Sequence, residues 1–164
     1  GKVFNFALRM VGSRADAEDI TSEVFFQLFH KRFQDDGRAK LSTWLLTVAR
    51  NACLSRLRSA KRTVSLWFKK DDSDDYGEWD LPDTADLPLE AVNKRENAKV
   101  IRLALQRLPE EQKEALILRE YCGKEYSEIA EILECSLDKV KVLIFRGRER
   151  LREELAPIIK EDRI

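Results

Sequence analysis

Apolar residues recur at intervals of three and four along most of this chain, the spacing of one helix face, and no stretch of useful length alternates as a strand would. Val3 to Met10 reads as a helix stopped at Gly12, a residue that tolerates the left-handed conformation closing a helix. Ser13, with Asp16 three residues on, opens a second helix in a capping-box arrangement, and its apolar positions are Ala17, Ile20, Val24 and Leu28. Ser42 is placed to cap a third helix running to about Arg58, packed through Trp44, Leu45, Val48, Ala49, Ala52, Cys53 and Leu57. Periodicity then fails from Thr63 to about Pro88, where Asp, Pro, Gly, Ser and Thr dominate, although Trp67, Phe68, Tyr76 and Trp79 interrupt the polar run. It resumes through Val92, Val100, Ile101, Ala104, Leu105 and Leu108. Pro109 suits the first position of a following helix that carries Ala115, Leu116 and Leu118 to a stop near Gly123.

The stretch from Tyr126 to Arg152 has the layout of a helix-turn-helix. Ile129, Ala130, Ile132 and Leu133 form its first apolar stripe, Glu134-Cys135-Ser136 interrupts, and Ser136 is placed to cap the second helix. Leu137, Val140, Ile144, Leu151 and Leu155 are expected to pack inward, which leaves Lys139, Val142, Phe145, Arg146 and Glu149 outward, with Lys141, Arg148 and Arg152 on the flank. Cations on an outward helix attract phosphates, and guanidinium forks can read guanine edges in a major groove.

The expected fold is therefore all-α, as two small helical domains at 1–62 and 90–164 joined by a flexible acidic linker at 63–89. Composition sharpens that division. The chain holds 30 basic and 30 acidic residues among 164 and has no net formal charge, yet the signs are segregated. From Lys31 to Arg62 nine bases face two acids, a net +7, whereas Asp71 to Glu90 holds nine acids and no base. Two cationic surfaces meant for a polyanion, held apart by a connector that repels one, fit this pattern. The three cysteines are too far apart in sequence for a paired-cysteine zinc site or a disulfide framework, and a reducing cytoplasm is the simplest setting. No apolar run reaches spanning length and no signal-peptide pattern opens the chain, so membrane insertion is not expected. Gly1-Lys2-Val3 enters apolar sequence without an initiator Met, which suggests a trimmed start.

Candidate chemistry sits on two further faces. Asp16, Glu18, Asp19 and Glu23 make an acidic exterior on the second helix, either complementing its dipole or docking a basic partner. Thr47, Asn51, Ser55, Arg58 and Arg62 form a polar stripe on the third, where hydroxyls, an amide and guanidiniums can meet phosphates and exposed base edges together. Reading the four acids as a divalent-metal nuclease site fails on geometry, because they point in several directions around the helix and His30 is the only histidine.

Three stretches together resemble the extracytoplasmic-function (ECF) group of the sigma-70 family of bacterial RNA polymerase sigma factors: DAEDITSEVF from Asp16, LSTWLLTVARNACLSRLR from Leu41, and LPEEQKEALILREYCGKEYSEIAEILECSLDKVKVLIFRGRERLRE from Leu108. The resemblance implies a region 2 domain, with part of its first helix lacking, and a region 4 domain, with the acidic linker as the variable connector. It implies that Asp16, Glu18, Asp19 and Glu23 face core RNA polymerase. The loop Phe33 to Leu41, with Phe33 and Lys40, and the stripe Thr47, Asn51, Ser55 and Arg58 would engage the -10 element as it opens. Ser136, Lys139, Lys141, Val142, Phe145, Arg146 and Arg148 would meet the -35 element. Promoter DNA and core polymerase are the implied partners, an anti-sigma factor is a further one, and no enzymatic step, metal or cofactor is implied. The sequence departs from the family at Ser55, where Asp is frequent, at Glu134, where Gly is frequent, and at Val142 and Leu143, where small or basic residues are frequent. The Gly of the family implies a left-handed turn, which at Glu134 would cost about 1 kcal/mol. A helix-turn-helix regulator acting without polymerase is the alternative, though it would not need the Trp-containing second motif.

Overall fold

A helix with one apolar stripe is stable only where that stripe is covered, so the question for this chain is which helix covers which. The computed structural model describes residues 1–30, 40–66 and 89–161, the side chains at 64–66, 89–96 and 159–161 excepted. Every regular element among the described residues is helical. In order they are α1 (Lys2–Val11), α2 (Arg14–Phe29), α3 (Leu41–Leu66), α4 (Leu89–Gln106), α5 (Glu110–Leu116), which runs into a π-turn (Ile117–Tyr121), α6 (Tyr126–Leu133) and α7 (Leu137–Glu161). The loop carrying Phe33 and the linker residues 67–88 lie outside the described residues.

In the N-terminal unit α1 packs on both α2 and α3. Phe6, Ala7, Met10, Ala17, Ile20, Val24, Leu46, Ala49 and Cys53 are sealed from solvent there, and each large side chain among them contributes about 1.5–3 kcal/mol through burial. Gly12 closes α1 at φ 73°, and the Ser13 hydroxyl accepts the Asp16 backbone N–H at 3.3 Å. The reciprocal half of the expected capping box does not form, because the Asp16 carboxylate accepts from Arg56 on α3 instead (3.1 Å). Ser42 is not the cap of α3, which starts one residue earlier and continues without a break to Leu66, beyond the expected end at Arg58.

In the C-terminal unit α7 is the spine against which α4, α5 and α6 pack. Gly147 permits the closest approach: a Cβ there would stand 3.0 Å from the buried Leu116 side chain and 3.4 Å from the Gln112 carbonyl. Pro109 precedes the first turn of α5 rather than entering it. The α6 start is a reciprocal cap between Glu125 and Glu128, and Glu134 occupies the left-handed region at φ 52°, as the turn reading anticipates. Ser136 caps α7 by accepting the Lys139 N–H at 3.1 Å. On α7 the inward stripe is Val140, Leu143, Ile144 and Gly147 with half-buried Leu151 and Leu155, whereas Leu137, expected inward, stands exposed in the first turn.

The two units also pack on each other, which periodicity alone does not reveal. Helix α3 lies against α6, and α1 lies against the π-turn and α4, so one apolar cluster runs from Phe6 and Leu46 through to Ile117 and Ile129.

Candidate nucleic-acid interface

Burial sorts the charged residues of the chain into two populations. Among the described residues the buried polar or charged side chains are Thr43, Lys113, Glu114 and Lys124, and all four lie on the seam between the units. Arg50 Nε of α3 donates to Glu114 Oε2 of α5 at 3.0 Å, with the two side chains 17% and 1% exposed. Burial raises the Glu114 carboxyl above its ordinary range, although Arg50 pulls the other way. Its second oxygen, Oε1, has no hydrogen-bond partner among the described residues. Lys113 donates to the Met10 carbonyl of α1 (3.4 Å) and to Gln106 (3.2 Å), and burial lowers its ammonium pKa. Lys124 Nζ donates to Ser42 Oγ (2.6 Å), Thr43 Oγ1 (3.5 Å) and Glu128 Oε1 (3.4 Å). Gln106 caps the Arg9 carbonyl at 2.7 Å, and the Arg9 guanidinium lies 3.8 Å over the Tyr121 ring. The spacing along the sequence does not reveal this set, since nothing local distinguishes the half-buried Arg50 from the exposed Asn51 beside it.

The second population faces out. On α3 Asn51, Ser55, Arg58 and Arg62 are exposed along one line, as the four-four-three-four spacing requires. Thr47 begins the line only half-buried, and its hydroxyl is turned back to the Thr43 carbonyl at 2.8 Å. Lys40 precedes the helix and reaches Glu128 of α6 at 3.5 Å.

On α7 Lys139, Lys141, Val142, Phe145, Arg146, Arg148 and Glu149 are all exposed, Phe145 by two thirds. Several of the cations hold carboxylates from their own unit. Lys139 pairs with Glu111 (2.9 Å), which raises its ammonium pKa; Arg148 forks onto Glu120 (2.6 Å); Lys141 reaches Asp138 (3.7 Å); and Arg152 reaches Glu149 (2.6 Å). Arg146 has no such partner among the described residues.

The acidic face of α2 does not gather into a single site. Asp16 and Asp19 both turn to Arg56 (3.1 and 3.8 Å), Glu18 pairs with Arg14 (3.1 Å), and Glu23 accepts from Gln27 (3.3 Å). Beside these acids stand Phe25, Phe26 and Phe29, the last 80% exposed. The sequence carried a signal for them: Phe25 and Phe26 are adjacent and Phe29 follows at i+3, while Ala17, Ile20 and Val24 already occupy the buried stripe, so these rings must fall outside it. An exposed aromatic cluster rimmed by carboxylates is the make-up of a protein-binding surface. No described helix is long and apolar enough to cross a membrane.

Comparisons with known proteins identify the family of the chain as a whole. The family model for sigma-70 region 2 matches residues 1–63, and that for sigma-70 region 4 matches 98–151, one on each side of the seam. The chain is 32% identical over 160 residues to the ECF RNA polymerase sigma factor SigW of Bacillus subtilis, covering 94% of this chain and 83% of that one. It is 28% identical over 162 residues to the RNA polymerase sigma-H factor of Pseudomonas aeruginosa, covering 98% and 83%. Among solved structures, the sigma factor RpoE in complex with the anti-sigma factor NepR from Bartonella quintana superposes with a TM-score of 0.69 at 26% identity, over 94% of this chain and 89% of that one. CnrH, in complex with the cytosolic domain of CnrY, shares the fold, with a TM-score of 0.64 at 20% identity over 94% and 81%. A lone helix-turn-helix regulator has no use for the region 2 match, and that alternative is not favoured. The chain belongs to the ECF RNA polymerase sigma factors, which direct core RNA polymerase to promoters in transcription initiation.

Proposed function

We propose that this protein acts through three of its own surfaces: α2 docks on core RNA polymerase, α3 engages the -10 element as the strands part, and α7 meets the -35 element. The units at 1–62 and 90–164, with 63–89 between them, are the domains that carry this work. On α2 the exposed acids Glu18, Asp19 and Glu23, with half-buried Asp16, would meet a basic partner surface, and Phe26 and Phe29 would supply apolar area to the contact. On α3 Asn51, Ser55 and Arg58, flanked by Thr47, Lys40 and Phe33, would hold a displaced strand, a task for donors and cations on a rigid helix. On α7 Arg146 and Lys141 would neutralise phosphates, Arg148 and Lys139 would exchange their carboxylates for phosphates, Val142 and Phe145 would face thymine methyl groups, and Ser136 would present the helix start. No covalent step falls to this subunit; binding energy alone selects the promoter and opens it. The setting is the cytoplasm, and an anti-sigma factor is a partner of the kind that the similar RpoE structure holds.

The observation carrying this reading is that α3 and α7, one in each matched unit, both present an outward line of polar and basic side chains. Run-off transcription with purified core polymerase across a promoter library tests it. The wild-type chain is expected to start RNA at defined sites, and Asp19→Arg to lose core association with its helicity intact. A wild-type chain that yields no transcript with any core tested defeats the proposal.

A further inference from the structure

Two of the cations exposed on α7 are held by acids that no local rule supplies. Lys141 and Arg152 pair with Asp138 and Glu149 three residues away on α7 itself, as neighbours on one helix face do. Lys139 and Arg148 instead meet Glu111 of α5 and Glu120 of the π-turn, each 28 positions away, at 2.9 and 2.6 Å. Arg148 gives both Nε (3.2 Å) and a terminal nitrogen (2.6 Å) to one oxygen of Glu120. Both pairs stand about half in water, where such contacts add little to stability. The π-turn is a second sign. The Cys122 N–H reaches back five residues to the Ile117 carbonyl at 3.2 Å, a winding that helices adopt frequently at functional sites, and the side chain this turn presents to α7 is Glu120. Arg146, exposed between the two held cations, has no such acid among the described residues.

Resting on the role of α7 at the -35 element given above, we propose that Glu120 and Glu111 are specificity-determining residues: each stands in for a phosphate, occupying Arg148 or Lys139 on DNA of unrelated sequence and yielding it only when α7 is seated in its own element. Contact and screening set the balance. A helix loosely placed over a duplex has the phosphates behind water and salt, which screen charges over about 8–10 Å, so a carboxylate already in contact keeps the cation. The pair is then neutral towards the DNA and releases no counterion. Seating the helix brings phosphates to contact distance, and a duplex with one charge per about 1.7 Å of axis outweighs a single carboxylate. Unrelated DNA is bound almost wholly through such charges, whereas the right element adds base contacts from Val142 and Phe145 that the two acids do not touch. The acids therefore subtract from the wrong complex more than from the right one, which is discrimination without a further contact to any base.

Salt titration of the full-length chain on duplex DNA of random sequence provides the test. Glu120→Gln and Glu111→Gln should each steepen the slope of log affinity against log salt by about one unit and tighten binding about five- to tenfold at about 0.1 M salt, with helicity unchanged. Adding Arg148→Ala to Glu120→Gln should remove the gain. Glu153→Gln, which takes the same charge from another exposed position of α7, should give little of it. On a promoter that the chain selects in run-off transcription, holoenzyme carrying either Gln variant should keep the wild-type slope within about half a unit and its affinity within about twofold. An unchanged slope on random duplex in either folded variant overturns the proposal for that acid. So does a gain that survives Arg148→Ala, one that Glu153→Gln matches, or one of equal size on the promoter. A loss of affinity for both DNAs overturns it too, since Glu120 would then be orienting Arg148 rather than withholding it. Should one variant lose helicity, the other decides. A chain that starts RNA at its promoter while its slopes do not move keeps the sigma-factor role and loses this proposal; one that starts RNA nowhere loses both.

Discussion

The seam and the outer face of α7 use the same chemistry, a basic side chain against a carboxylate at about 3 Å, to opposite ends. Arg50–Glu114 is shut away from water, whereas Arg148–Glu120 has both side chains nearly half exposed. In water the second pair is screened and nets about 0–1 kcal/mol, while separating the first leaves a buried charge without its counter-ion. A phosphate can therefore take the place of Glu120 at little cost, but only a movement of whole units can part Arg50 from Glu114. Burial rather than distance decides which ion pairs hold the molecule and which are kept ready for exchange.

The contrast breaks first at Arg50. Arg50→Ala should cost the packing of the two units on each other about 3–5 kcal/mol, seen as an early urea transition in which the units separate before their helices melt. A loss below about 1 kcal/mol would put the seam pair in the same class as the surface ones.

Alkaline titration sharpens the picture of a dry seam. Cys53 and Cys122 are buried, the first beside Glu114 and Lys113, and burial pushes their thiols up to about 12 and about 11 from 9.0. A pKa raised on folding gives stability that is whole below pH 9 and drains away as pH climbs through the folded value. Each thiol should thus remove up to about 1.4 kcal/mol per pH unit above pH 9. Thermal melts should show that slope, and Cys53→Ala should flatten it; a slope unchanged by the substitution would mean that water reaches the thiol.

At the turn between α6 and α7, Glu134→Gly should stabilise the C-terminal unit by about 1 kcal/mol, since Glu134 stands at φ 52° and forms no side-chain hydrogen bond there. Its melting temperature reports the gain.

The smallest expected effect is on the outer face. Arg148→Ala should alter stability by less than about 0.5 kcal/mol, and Arg146→Ala by no more, yet each should weaken promoter binding by the holoenzyme. For Arg146→Ala the salt slope should fall by about one unit for the lost phosphate contact. Salt titration separates the two roles: an unchanged slope would place Arg146 off the phosphate backbone.

Much of this was legible before any fold was known, because the signals are local. Gly12, Ser13 and Ser136 act within a turn of themselves, and the three-four spacing of Ile129, Ile132, Val140 and Ile144 places each on the buried side of its helix. The left-handed turn at Glu134 was anticipated from the family resemblance, in which Gly is frequent at that position, rather than from periodicity. Periodicity also put Asn51, Ser55 and Arg58 outward on α3, and Lys139 and Arg146 outward on α7 with Arg148 on its flank. It misjudged Leu137, which stands exposed, and did not single out Leu143, which is buried.

What tertiary structure alone decided is the fate of the charges. Arg50 and Asn51 are neighbours on one helix, and nothing within a few residues of either says that the first will be sealed against a carboxylate 64 positions away while the second stays in water. Local rules fix which way a side chain points from its own helix axis. Whether it then meets solvent or another helix depends on the packing of distant segments, and a charge's energy changes by several kcal/mol between those two surroundings.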